Sequence, residues 1–199
     1  MQAYRETLAD DRRMLLDRYR LVDVVIKVVG VGSVGRMCSI VLLMSEANDP
    51  LFLQCKEAGE SVLEPCAGKS VYKHHGQRVV VGQRMMQPAS DIFLGWVTGR
   101  TGQSLYVRQL RDAKIKPMVE TFDAEVLDIY GMICGWVLAR AHSKVSELSS
   151  TISGYLGSSD VFDKAMGRFA LAYADQAERD YTAMKAAVRK GKIKVYQES

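Results

Sequence analysis

The chain has 199 residues, of which 48% are hydrophobic and 25% charged, and its net charge is only +4. This composition is typical of a folded globular domain and excludes wholesale disorder. No apolar stretch approaches the roughly 18 residues of a membrane-spanning helix, and the polar segment Met1–Arg13 lacks the apolar core of a signal peptide. We therefore expect a cytoplasmic protein.

The distribution of charge and cysteine argues against two kinds of site. Basic residues cluster near the C-terminus, at Lys185, Arg189, Lys190, Lys192 and Lys194. Because they form no basic motif with interleaved aromatic residues, they indicate a solvated helix end rather than a nucleic-acid surface. The four cysteines are Cys38, Cys55, Cys66 and Cys134. No pair has the short spacing of a zinc site, so we expect buried, reduced thiols and no metal ligands.

The first part of the chain predicts a helix followed by short strands. Apolar residues recur at helical spacing over Tyr4–Tyr19. Three largely apolar runs then predict a meander of strands at Val24–Val29, Met37–Met44 and Leu51–Glu57. A short helical pattern over Gln77–Gln87 precedes two further strands, at Ile92–Thr98 and Gln103–Leu110, which a glycine-rich hairpin loop connects.

The remainder of the chain predicts helices. From Phe122 to Ala141 the apolar residues follow helical spacing, and Gly131 and Gly135 add a stripe of small residues that favours close packing against another helix. The Ser- and Gly-rich segment Ser146–Ser159 predicts a loop. Asp160 is a typical helix start, and Gly191 a typical helix end.

A glycine-rich segment, Gly30-Val31-Gly32-Ser33-Val34-Gly35, separates the first two predicted strands. A dinucleotide-binding motif would need a helix directly after these glycines and an acidic residue about 20 positions later. The segment that follows is strand-like, and Lys56 stands where the acid would be expected. The dinucleotide interpretation therefore fails.

A kinase-like interpretation fits the same residues, because it needs two strands joined by a glycine loop and a lysine on the third strand. Backbone N–H groups of Gly30, Gly32, Ser33 and Gly35 would approach phosphate oxygens, and Lys56 would supply a positive charge. The alternative is an ordinary hairpin with an exposed lysine at a strand end. For Arg108, within a predicted strand, a structural ion pair and a phosphate or substrate contact are both open.

The residues that would use a bound nucleotide are not identifiable. A kinase-like site needs a carboxylate on the helix after the lysine strand, and the segment Lys73–Gln87 contains no Asp or Glu. No His-Arg-Asp or His-Gly-Asp catalytic loop and no Asp-Phe-Gly metal motif follows. The sequence therefore predicts no catalytic residue and no metal ligand.

Several long segments, in order, resemble the bacterial domain-of-unknown-function family 2252. The resemblance covers nearly the whole chain. It is carried by Val28–Gly35, Asp49–Ala58, Gly76–Val80, Gly82–Gln87, Ser90–Trp96, Tyr106–Leu110, Leu138–His142 and Ala172–Tyr181. It implies a relationship to protein kinases or aminoglycoside phosphotransferases, with this chain as the C-terminal half and the catalytic loop and metal segment N-terminal to it. Where the family is expected to have Glu in the helix after the lysine strand, this sequence has Val81.

Together these observations predict an α+β protein with a kinase-like small lobe. We expect a largely antiparallel sheet of about five strands with one inserted helix, followed by a helical region. The expected segments are an N-terminal helix (1–22), a sheet lobe (23–116) and a helical region (117–199) in one compact unit. The expected function is binding of ATP, with Mg²⁺ ligands outside this chain, without catalysis by the chain alone. A non-enzymatic interaction or scaffold role, or a degenerate fragment, is the alternative, and a missing N-terminal half or partner chain is the expected partner.

Overall fold

The structure, a computed structural model, describes residues 1–28, 35–111, 116–144 and 148–195. The chain divides into two compact units, residues 1–146 and 147–199. The first contains the sheet and the second is helical. The segment boundaries expected from the sequence stay predictions.

Five antiparallel strands form one sheet in the order β1-β2-β3-β5-β4. The strands are β1 Tyr19–Ile26, β2 Cys38–Ser45, β3 Pro50–Glu57, β4 Gly95–Thr98 and β5 Ser104–Gln109. Turn chemistry fixes both short connections: Asn48 has φ +64° between β2 and β3, and Gly102 has φ +88° between β4 and β5. The predicted α+β class, a sheet followed by helices, is confirmed.

Seven helices accompany the sheet in the described parts of the chain. Those of the first unit are α1 Gln2–Arg5, α2 Asp10–Leu16, α3 Glu64–Ala67, α4 His75–Met86 and α5 Ala124–Ser143. Those of the second unit are α6 Ser149–Leu156 and α7 Val161–Arg189. A 3₁₀ turn, Val119–Thr121, precedes α5. Both α3 and α4 lie between β3 and β4 along the chain, and α4, the longer of the two, corresponds to the predicted inserted helix.

One side of the sheet carries the hydrophobic core. Because side chains alternate along a strand, the apolar residues Leu51, Leu53 and Cys55 of β3 share one side. The buried cluster combines them with Leu43, Leu105 and Val107 from neighbouring strands and Tyr4, Leu8, Leu16 and Phe93 from outside the sheet. We call this side the core face. The opposite side carries Phe52, Gln54, Lys56, Tyr106 and Arg108, and we call it the Lys56 face.

The single helix predicted over Tyr4–Tyr19 is wrong. Two short helices, α1 and α2, replace it, and β1 already begins at Tyr19. The physical reason is tertiary: Tyr4 and Leu8 close on Gly95 of β4, where a methyl group would overlap both side chains. The interruption between the helices is held in part by Arg5, which forms a 2.6 Å ion pair with Asp17.

Helix α4 begins two residues earlier than predicted, at a histidine rather than in a solvated loop. The Nδ1 atom of His74 caps the helix by accepting a 3.1 Å hydrogen bond from the Gln77 N–H. Burial lowers the pKa of His74, which keeps the imidazole neutral and able to accept. Gly76, the second residue of the helix, lies directly against the Leu105 carbonyl oxygen, where a methyl group would not fit.

Strand β1 forms a free edge of the sheet. Its pairing with β2 shifts by one residue between Leu21 and Asp23, so Val22 is an extra residue in the ladder. Further along, the Lys27 N–H donates to the Cys38 carbonyl at 2.8 Å. Because N–H groups alternate in direction along a strand, the N–H of Val24, three residues earlier, points away from β2. The Asp23 carboxylate accepts from this N–H at 2.7 Å.

The helices after the sheet differ from the sequence prediction in one element. Helix α5 confirms the helix predicted from Phe122 to Ala141, and α7 confirms the start at Asp160. The end at Gly191 is also confirmed, since its φ of +69° breaks the helix. The loop predicted over Ser146–Ser159 is wrong, because α6 occupies most of it. Apolar residues among the serines explain this helix, and Tyr155 packs edge-on against Phe162, with ring centroids 6.0 Å apart.

The cysteine prediction is correct for two thiols and wrong for two. All four are free, and Cys38 and Cys55 are buried in the sheet. Cys66 and Cys134 are exposed, because α3 and α5 bury no residues of their own.

Candidate functional site

Lys56 lies near the end of β3, between two residues of neighbouring strands. It pairs with Cys38 of β2 on one side and with Tyr106 of β5 on the other. These three side chains project from the same side of the sheet, because directly paired residues share a face. Lys27, which hydrogen-bonds to Cys38, extends this row by one more strand. Two lysines therefore flank one buried thiol at this end of the Lys56 face.

Arg108 lies on the same face, one row further along β5. Its Nε and Nη2 atoms donate to the Oε1 atom of Gln54 at 3.2 Å and 3.0 Å. Of the two roles left open by the sequence, the ion pair is not formed with any carboxylate among the described residues, since the partner is a neutral amide. The positive charge of Arg108 is thus uncompensated where the chain is described.

Burial and neighbouring charge shape this row of side chains. Burial raises the pKa of Tyr106, and the nearby Arg108 opposes that rise only in part. The phenol therefore stays protonated and can donate a hydrogen bond near neutral pH. Cys38 is buried under the same row, and its sulfur lies 3.6 Å from the amide nitrogen of Gln54.

The predicted glycine loop lies mostly outside the described residues. Gly30, Gly32 and Ser33 fall in the range 29–34, and of the predicted set only Gly35 is described, with φ +76°. Its flanks are clear: the segment leaves the sheet after Lys27 and returns at Cys38, and these two residues are paired. Since Cys38 is also paired with Lys56, both ends of the glycine segment lie within two strands of the lysine.

Helix α4 supplies no carboxylate to Lys56, as its sequence requires. Val81, at the position where the resemblance implies Glu, lines an apolar groove of about 420 Å³ with Glu64, Tyr72 and Met85. The acid next to the lysine in sequence, Glu57, alternates to the core face, and its Oε2 accepts from the Met37 N–H at 3.0 Å. It thereby holds the returning end of the glycine segment rather than the lysine.

Metal ligation finds no support where the chain is described. There, no group of three or more His, Cys, Asp and Glu side chains is arranged to hold a metal ion. His74 serves as a helix cap, as described above. The Lys56 face instead presents two cationic side chains, Lys56 and Arg108, and the buried amide of Gln54.

A family model described as an uncharacterised protein conserved in bacteria, DUF2252, matches residues 1–187. The chain belongs to this family. No curated protein and no solved structure matches the chain. Among the described helices, none combines the length and apolar character needed to cross a membrane.

Sequence reasoning missed Gln54 as the partner of Arg108. Alternation along β3 places Gln54 with Lys56 on one face of the sheet. The register between β3 and β5, which brings Gln54 opposite Arg108, depends on strands that are separated by α4 and β4 in sequence. Nothing in a single sequence specifies such a long-range register.

Proposed function

We propose that the sheet and its glycine segment bind the phosphate groups of a nucleotide, with ATP as the ligand. The observation that carries this proposal is the pair of cations on the Lys56 face. Lys56 and Arg108 lie on neighbouring strands, and neither is within ion-pair distance of a carboxylate among the described residues. Uncompensated cations on one rigid surface favour an anionic ligand.

The path of the chain supports the same ligand. The glycine segment starts beside Lys27 and ends beside Cys38, so it begins and ends close to Lys56. Glycine residues there would allow backbone N–H groups to approach phosphate oxygens without obstruction from Cβ atoms. A meander of three strands, a helix and a final hairpin also matches the order of elements in kinase-like small lobes.

The proposal concerns binding and not phosphoryl transfer. Kinase-like catalysis needs a carboxylate that orients the lysine and a base that accepts the substrate proton. Helix α4 carries no acidic residue, and no kinase-type catalytic loop occurs in the sequence. ATP would bring Mg²⁺ as its own counterion.

Calorimetric titration of the purified chain with ATP and Mg²⁺ tests this function. We expect binding that Lys56→Ala weakens at least about tenfold, because a charge-assisted contact to phosphate is lost. Lys69→Ala is the matched control, since Lys69 is an exposed lysine outside the Lys56 face. No binding at millimolar nucleotide, or equal binding by wild type and Lys56→Ala, contradicts the proposal.

We also propose, as a second function, that α5 is a docking surface for another polypeptide. Its 20 residues are mostly apolar, yet none is buried. Trp136, for example, is 62% exposed. A helix that is apolar on most of its circumference is normally covered by other protein. This surface lies outside the nucleotide proposal and corresponds to an interaction or scaffold role.

Solution behaviour distinguishes this second function. An uncovered α5 predicts binding of a hydrophobic dye and self-association in light scattering. Trp136→Glu together with Ile133→Lys should reduce both, because each places a charge on the exposed apolar surface. A monodisperse monomer that binds no dye would rule out α5 as a docking surface.

A further inference from the structure

The guanidinium of Arg108 is only partly engaged by its partner. It has five N–H donors, and the Nε–Nη2 edge donates to a single oxygen of Gln54. Three donors remain, including the Nη1–Nη2 edge, and they have no partner among the described residues. This free edge has the fork geometry that suits a phosphate group.

Gln54 is itself firmly held. The residue is 6% exposed, its Oε1 accepts both hydrogen bonds from Arg108, and its amide nitrogen lies 3.6 Å from the Cys38 sulfur, a weak acceptor. With the nitrogen directed to Cys38, the oxygen is directed to Arg108. A buried amide therefore positions the arginine and leaves its positive charge intact, whereas a carboxylate would neutralise that charge. That combination is expected of a binding site rather than of a structural ion pair.

Lys56 and Arg108 are diagonal neighbours on adjacent strands, because Lys56 pairs with Tyr106 and Gln54 with Arg108. Diagonal positions in antiparallel sheets lie about 7–8 Å apart. Two cations at this spacing can each contact a different phosphate of one ligand. A ligand with linked phosphates then makes the second contact without a second loss of translational and rotational entropy.

We propose that Gln54 positions Arg108 as a second phosphate ligand beside Lys56, so that the site selects ligands with two or more linked phosphates over monophosphates. This inference rests on the proposed nucleotide-binding function and specifies the class of ligand. Gln54 is a positioning residue, and Arg108 and Lys56 are the binding residues. ADP, ATP and pyrophosphate belong to the preferred class, and AMP and orthophosphate do not.

Competition calorimetry on the full chain measures the selectivity as two affinity ratios, ADP to AMP and pyrophosphate to orthophosphate. For the wild type we expect each ratio to be at least about tenfold, the size of one charge-assisted contact. Gln54→Glu retains the shape of the side chain but places a carboxylate against Arg108. We expect both ratios to fall towards one in this variant.

Arg108→Gln removes the cation itself and should have the same effect on both ratios. Because it leaves a buried amide without its partner, its folding is checked by thermal melting, and Gln54→Glu provides the independent test if it does not fold. Arg100→Gln is the matched control, since it removes one arginine from the exposed hairpin loop between β4 and β5. The control should keep both ratios at the wild-type value.

The outcomes separate this inference from the function on which it rests. Loss of selectivity in Gln54→Glu and Arg108→Gln, with Lys56→Ala weakening every phosphate ligand, supports both. If Lys56→Ala abolishes binding while the Gln54 and Arg108 variants remain selective, the inference is overturned and the proposed function stands. If no phosphate ligand binds the wild type, both are overturned.

Discussion

The two faces of the sheet share the same strands and backbone but differ in chemistry where β3 pairs with β5. On the core face, residues such as Leu43 and Leu53 are buried against α1 and α2. On the Lys56 face, Gln54 and Arg108 form a polar pair beside the partly exposed Phe52. Because alternation along β3 assigns each residue to one face, we expect that stability and the proposed ligand binding can be changed separately. Substitutions on adjacent positions test this separation.

The largest expected effect comes from truncating the core face. Leu53→Ala should lower the free energy of unfolding by about 3 kcal/mol, because Leu53 is 1% exposed and its removal leaves a cavity. Phe52→Ala, one residue earlier, should cost about 1 kcal/mol or less, since Phe52 is 44% exposed. Urea unfolding of both variants provides the measurement. Equal losses would show that the Lys56 face is also a core.

The core face should also make stability depend on alkaline pH. Burial raises the pKa of the Cys55 thiol from 9.0 to about 11, and a hydrogen bond from Ser39 opposes this only in part. Between these values the unfolded chain loses the proton while the folded chain keeps it. The free energy of unfolding should therefore fall by about 2–3 kcal/mol as pH rises through this window.

Urea unfolding between pH 8.5 and 11, roughly the window of that shift, checks this dependence. Burial also raises the pKa of Tyr4, so the wild type contains a second alkaline contribution. The informative quantity is thus the difference between wild type and Cys55→Ala, which should shrink as pH increases. A difference that stays constant with pH would mean that Cys55 is not protected from ionisation.

Two glycines of α4 should respond in opposite directions to the same substitution. Gly76→Ala places a methyl group against the Leu105 carbonyl oxygen and should destabilise by about 1–3 kcal/mol. Gly82→Ala meets no atom and should stabilise by up to about 1 kcal/mol, because alanine favours helix. Thermal melting of both variants measures the difference. Stabilisation by Gly76→Ala would show that α4 does not approach β5 closely.

The smallest effect on stability is expected for Lys56→Ala. Lys56 makes no ion pair with a described residue, so its truncation should change the free energy of unfolding by less than about 1 kcal/mol. The same variant should lose nucleotide affinity, as proposed above. A large loss of stability would instead assign Lys56 a structural role and blur the distinction between the two faces.

The sequence predicted correctly those elements whose ends are marked by residues close by in the chain. β2, β3 and β5 appear within one residue of their predicted ends, because apolar runs between turn residues are strong strand signals. The prediction of one continuous N-terminal helix failed because the break near Thr7 is set by packing against Gly95, which is distant in sequence. The loop prediction over Ser146–Ser159 failed because the Ser and Gly residues suggested a loop, whereas the apolar residues between them pack within the second unit.

The candidate site could be predicted only in part. Lys56 could be singled out because its signal is local, a glycine segment followed by a lysine on the third strand, and its role in binding stays a prediction. Arg108 was recognised as unusual, but its partner could not be found, because the β3–β5 register places Gln54 opposite it. The face on which Glu57 lies follows from alternation, and so does its separation from Lys56.

The free edge of β1 has a consequence for self-association. Six apolar side chains between Leu21 and Val28, in β1 and just after it, are about half exposed or more. A regular edge strand with such side chains would be a template for pairing with a strand of another chain. The extra residue Val22 interrupts the regular spacing that such pairing needs. The Asp23 carboxylate accepts a hydrogen bond from the outward N–H of Val24, which is then not available to another strand, and places a charge at the centre of the edge. This one carboxylate and one irregularity oppose growth of the sheet into an aggregate.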